Sequence, residues 1–305
     1  RRIILGFRIS GQSLFGCGCV RFSLYLSLAA KPGWQVKKRR TDMIHLKSIS
    51  IHQKLKGRGY PFNLPLIQEC KELLLESPVV IFVGENGSGK STILEGLAAA
   101  VGLPAVGGSS IDSDKTLEHA RDLSKVMKPV WTRKTKRGFF LRAEDFFNFA
   151  RRMNRTREEM EEIHKEFEGK EGLGWDIARG AVMGQREGIV RRYGADLDAR
   201  SHGESFLKLF QSRFVPEGLY LLDEPEAPLS PQRQLSLISM IKEMTREQSS
   251  QFIMATHSPI LMGFPGAQII SFDELPPRAV EYDDVEQVRL TRDFLTNKDA
   301  FLRHL

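Results

Sequence analysis

GENGSGKS, residues 84–91, fits the pattern G-x-x-x-x-G-K-[ST] in full, and the sequence around it supplies the context that pattern needs. VVIFV, residues 79–83, precedes it. That run is short, apolar, mostly β-branched and bounded by Pro78, as a buried parallel strand should be. ILEGLAAAVG follows the loop and reads as a helix. Glycines at 84, 87 and 89 let backbone N–H groups turn inward around an anion, and the helix N-terminus adds a favourable dipole. Gly84, Glu85, Asn86, Gly87, Ser88, Gly89, Lys90, Ser91 and Thr92 are therefore the candidate nucleotide-binding residues. Lys90 bridges the outer phosphates as a point charge, and Ser91 offers a hydroxyl to Mg²⁺.

Three more stretches carry chemistry. LYLLDEPE, residues 219–226, is an apolar strand ending in carboxylates, and such strand ends face the ligand crevice of a parallel sheet. Asp223 is the candidate metal ligand alongside Ser91, and Glu224 the candidate general base for an attacking water. ATHSP, residues 255–259, puts His257 at the end of the strand QFIMAT, where an imidazole can hydrogen-bond a terminal phosphate. ARSHGESF, residues 199–206, heads another helix. It fits an N-cap, with Ser201 and Glu204 in the S-x-x-E spacing, or a surface that works only beside a second chain. A metal site there lacks a second His or Cys at ligand spacing.

Strands and helices alternate through the second half, which predicts an α/β fold with a mainly parallel central sheet. Residues 104–198 are polar and charge-rich and read as a mostly helical insertion, including a helix over 143–168. The domain is expected to span residues 43–305, starting at Met43, where the strand-like MIHLKSISI opens. Residues 1–42 are different. They fit translation from upstream of a start at Met43, a transit or signal segment, or a folded extension, in that order of preference. They hold nine of the 45 Lys/Arg and one of the 38 Asp/Glu, leaving 36 basic against 37 acidic residues from Met43 onward. That net charge of −1 removes the general electrostatic case for nucleic acid, leaving only a local patch such as RKTKRGFFLR, residues 133–142. Cys70 is the lone cysteine after residue 42, which fits a reducing, cytoplasmic setting. No stretch reaches the roughly 20 apolar residues of a membrane span.

GENGSGKST, RGFFLRAEDFF, SHGESF, GLYLLDEPEAPLSPQRQ and ATHSPIL, in that order, resemble the soluble, stand-alone "predicted ATPases" of the ATP-binding cassette class. The resemblance covers most of residues 43–305. It implies a P-loop NTPase fold, ATP and Mg²⁺ as cofactors, and hydrolysis by two chains paired head to tail on ATP. It also implies that Ser201, His202, Gly203 and Glu204 form a signature acting in trans, closing on the nucleotide held by the partner chain. His202 stands where the class usually has a second glycine, Glu204 where it has Gln, and Ser230 where it has Asp. No metal-touching Gln is evident between the phosphate loop and the signature, and RAEDFF occupies that region. Tyr60 or Phe62 is the candidate base-stacking aromatic, although both also suit a core. The expected function is an ATP-driven dimer acting on an unidentified protein partner. A transporter's nucleotide-binding subunit, a chromosome-maintenance or DNA-repair ATPase, and a non-catalytic nucleotide-gated module are the alternatives.

Overall fold

The computed structural model describes residues 44–52, 59–106, 115–167, 170, 172–193 and 202–303. The leader at 1–42 and Ser201 of the signature lie outside the described residues, as do short pieces of the 104–198 stretch. In chain order the regular elements begin with β1 (Leu46–Ile51), α1 (Pro65–Glu69), β2 (Glu72–Leu74), β3 (Val79–Val83) and α2 (Lys90–Val101). Next come α3 (Glu118–Ser124), β4 (Met127–Trp131), β5 (Gly138–Arg142), α4 (Ala143–Glu166), α5 (Leu173–Tyr193), α6 (His202–Arg213) and β6 (Leu219–Asp223). The chain continues through α7 (Pro231–Glu247), β7 (Gln251–Ala255), α8 (Pro259–Met262), β8 (Gln268–Ser271), β9 (Arg278–Val280), α9 (Glu286–Thr296) and α10 (Lys298–Leu302).

The central sheet runs in the order β5-β6-β7-β3-β8-β9. Its first five strands are mutually parallel, and β9 closes one edge antiparallel to β8. Parallel strands need both faces covered, and β3 shows how five consecutive apolar residues meet that need. Side chains alternate sides along a strand, so Val80 and Phe82 enter one core with Ile93, Leu94 and Leu97 of α2. Val79, Ile81 and Val83 enter the opposite core with Phe206 and Phe210 of α6 and Leu237 and Ile241 of α7. All five are buried. The second core is rich in aromatics, with Phe139, Phe206, Phe210, Phe214, Tyr220 and Phe252 meeting edge-on or stacked. Tyr220 sits fully inside because its hydroxyl exchanges hydrogen bonds with the Val215 N–H and C=O, both at 2.7 Å.

A second, antiparallel sheet, β2-β1-β4, covers the α2 side. After α1 the chain turns extended at Cys70, and β2 then pairs with β1 so that Leu73 turns inward. In one place the structure differs from the sequence reading. Residues 127–142 are not part of a helical insertion. They form β4 and β5, and β5 is the edge strand beside β6. Among the described residues the helices of this stretch are α3, α4 and α5, and α5 packs back against α6. Charge density concealed β5: GFFLR is flanked by RKTKR and AED, yet Phe139, Phe140 and Leu141 are buried. Gly138 opens β5 at φ +119, and a Cβ there would lie 1.8 Å from the Leu219 carbonyl oxygen.

Candidate functional site

At the C-terminal edge of the sheet β3 gives way to the phosphate loop, and Gly84, Gly87 and Gly89 all take positive φ. Those turns bring Lys90 back across the loop. Its ammonium, on a residue only 5% exposed, donates to the Gly84 carbonyl (2.7 Å), the Glu85 carbonyl (2.8 Å) and Ser88 Oγ (3.4 Å). Burial pulls its pKa below the ordinary lysine value, against Asp273, Asp223, Glu224 and Glu226, which favour the cation.

One helical step on, Ser91 Oγ donates to Asp223 Oδ1 at 3.1 Å, joining the phosphate loop to the end of β6. Burial lifts the Asp223 carboxyl to about 7, with the Ser91 bond opposing and Glu95, Glu224 and Glu226 adding to the rise. A carboxylate crowded by three others is a place where a divalent cation relieves charge. A hydroxyl and a carboxylate are the oxygen donors Mg²⁺ takes while keeping water and phosphate in its other positions. Among the described residues no group of three or more His, Cys, Asp or Glu forms a self-sufficient metal cage. The donor set therefore fits a nucleotide-borne Mg²⁺.

Glu224 follows with φ +49, its N–H donating to the Ala255 carbonyl at 2.9 Å. That left-handed turn leaves its side chain exposed in a cavity of about 270 Å³ shared with Lys90, Ser91, Thr92 and His257. Tyr60 lines the same cavity, 56% exposed, and its hydroxyl meets Thr92 Oγ1 at 3.3 Å. Phe62 is buried in the core. Of the two aromatics, only Tyr60 reaches the site.

The residues expected from the sequence to act in trans stand elsewhere. His202 opens α6, and Gly203 and Glu204 do not line that cavity. Gly203 packs on the loop after β6: a Cβ there would stand 2.8 Å from the Pro228 carbonyl oxygen and from Arg233 Cδ. Glu204 leans toward Lys208 at 3.8 Å along the helix. Ser230 precedes α7 without a side-chain capping bond.

Four residues missed by sequence reasoning support the site. Glu226 Oε1 accepts the His257 N–H at 2.7 Å. Asp273 Oδ1 accepts the Glu85 N–H at 2.7 Å, and Gln287 Nε2 donates to the Gly84 carbonyl at 3.2 Å, so the phosphate loop is held from its outer side. Arg142 ends β5 in register with Asp223 and reaches Glu95 of α2 at 3.5 Å. A signal existed for Asp273, since SFDE ends a strand as LLDE does, but only the pairing of β8 with β3 puts it beside the loop.

A family model described as "AAA domain" matches residues 62–179. A second, described as "AAA domain, putative AbiEii toxin, Type IV TA system", matches residues 190–263. No curated protein matches the chain. Among solved structures, an Smc head domain from Pyrococcus furiosus with an extended coiled coil, bound to the C-terminal domain of ScpA, is 14% identical at a TM-score of 0.40, covering 83% of this chain and 99% of its own. The dimeric structure of a bacterial ABC transporter cassette is 16% identical at 0.39, covering 79% and 99%. The SMC head domain from Thermotoga maritima is 15% identical at 0.37, covering 78% and 98%.

Proposed function

We propose that this chain, an ATP-hydrolysing P-loop NTPase of the ABC/AAA class, works as a Mg²⁺-dependent ATPase that pairs head to tail on binding ATP and couples that cycle to a protein partner. The observation that carries this reading is a separation. Lys90, Ser91, Asp223, Glu224 and His257 converge on one crevice, while the start of α6 with Gly203 and Glu204 stands outside it. A glycine-bearing helix N-terminus suits an anion, and the nucleotide it would meet is the one on a second chain.

Within one site the roles follow from position. The phosphate-loop amides cradle the phosphates, and Lys90 exchanges the Gly84 and Glu85 carbonyls for phosphate oxygens. Ser91 and Asp223 would hold Mg²⁺, which supplies charge neutralisation on the outer phosphates. Glu224, exposed in the cavity, orients a water and takes its proton, and His257 hydrogen-bonds the terminal phosphate. Tyr60 stacks on the base. Partner coupling is assigned to α4 and α5, whose 24 and 21 residues extend about 36 and 32 Å at 1.5 Å per residue. Among the described residues no helix is long and apolar enough to cross a membrane, and a cytoplasmic setting is part of this proposal.

Sizing with Mg²⁺-ATP beside steady-state phosphate release tests it, on wild type and Glu224→Gln. The variant is expected to accumulate as an ATP-bound dimer while turnover falls at least about 100-fold. A wild-type chain that hydrolyses ATP yet stays monomeric at every concentration would refute the head-to-tail mechanism.

A further inference from the structure

The loop after β6 and the turn after β7 are stitched into one unit. The Glu224 N–H donates to the Ala255 carbonyl at 2.9 Å, the His257 N–H to Glu226 Oε1 at 2.7 Å, and Ser258 Oγ to Gln234 Oε1 at 2.5 Å. Gln234 Nε2 also donates to the Leu229 carbonyl at 3.2 Å, closing the loop onto the start of α7. Of these contacts, the Glu226 bond is the one made by a side chain to the histidine itself. Glu226 has no place in the chemistry assigned above. The residue is half-buried, and its Oε2 is a buried oxygen without a hydrogen-bond partner among the described residues. Burial raises its pKa, while the Thr256 hydroxyl and the His257 N–H favour the anion. A carboxylate kept in so costly a place, with one oxygen on a backbone N–H, is an anchor for that backbone.

The same loop touches the signature. Pro228, two residues beyond Glu226, presents its carbonyl oxygen 2.8 Å from where a Gly203 Cβ would be, so α6 lies directly on it. We propose that Glu226 is the positioning residue of His257: by accepting its N–H, it sets where the imidazole stands relative to Glu224. Through Pro228, it also ties that placement to the signature helix of the same chain. The inference rests on the composite-site reading and deepens it. A partner nucleotide pressing on α6 in one chain would be felt at His257 of that same chain, linking the two sites of a dimer.

The test is steady-state phosphate release against ATP concentration, at fixed Mg²⁺, for the full chain, Glu226→Ala and Glu226→Gln. Loss of the anchor misplaces His257 without touching the nucleotide, so Glu226→Ala should lower kcat on the order of 10–100-fold and leave KM within about twofold. The glutamine side-chain carbonyl still accepts an N–H, so Glu226→Gln should recover to within about threefold of wild type. Glu226→Met, similar in volume but without a strong acceptor, repeats the removal if the alanine chain does not fold. An unimpaired removal variant, a loss confined to KM, or a glutamine chain as damaged as the alanine chain would each overturn the inference. If wild type shows no Mg²⁺-ATP turnover, the functional reading beneath it fails instead.

Discussion

Arg142 holds a buried ion-pair network, and Arg142→Leu should show its cost. The residue is 7% exposed. Its guanidinium forks onto Asp145, with Nε to Oδ2 at 2.9 Å and Nη2 to Oδ1 at 3.0 Å. Nη1 adds Glu144 at 3.0 Å and Glu95 at 3.5 Å, and Glu95 in turn meets His119 Nε2 at 2.7 Å. Burial works against the arginine's charge, but the Asp145 bonds and the Glu144 and Glu95 charges outweigh it and raise the pKa. The Glu144 carboxylate is mostly exposed, so that pair contributes under about 1 kcal/mol. Asp145 is different: at 2% exposure it would keep a buried negative charge and lose both bonds it accepts from Arg142. Removing one partner of a buried pair costs about 3–5 kcal/mol, and at about 2 °C per kcal/mol for a domain of this size the midpoint should fall by about 6–10 °C. Thermal denaturation followed by circular dichroism reads this directly. Arg142→Leu combined with Asp145→Leu should regain most of the loss, because no buried charge then remains at that pair. An Arg142→Leu chain melting within about 2 °C of wild type would refute the reasoning.

Two further outcomes follow from geometry and titration. Gly138→Ala would drive a Cβ to 1.8 Å from the Leu219 carbonyl and split β5 from β6, so it should lose at least about 3 kcal/mol in urea denaturation; an unchanged midpoint would contradict the strand pairing. The Asp223 carboxyl, raised to about 7 from 3.8, binds its proton more tightly folded than unfolded. In EDTA, stability should therefore fall as pH rises from about 4 through about 7, by up to about 4 kcal/mol from this group, and Asp223→Asn should flatten that slope. Parallel pH curves for the two chains would remove the assignment.

Local pattern alone specifies the glycine loop, the strand before it, the helix after it, and the acids and histidine at two further strand ends. Each is a local pattern, because an anion cradle, a buried strand and a strand-end carboxylate are all specified by residues within about ten positions. The helix over 143–168 was legible too, to within two residues of α4, since the dense charge of a solvated helix marks it. The sequence could not determine which strands neighbour which. β5 hid inside a charged stretch because its burial depends on β6, 81 residues later in the register pair Gly138 and Leu219. Only the tertiary structure put Arg142 beside Asp223, Asp273 behind the phosphate loop, Glu226 on the backbone of His257, and Tyr60 rather than Phe62 in the cavity. Those contacts join residues distant in the chain, and their energies come from burial and hydrogen-bond geometry that no local pattern encodes.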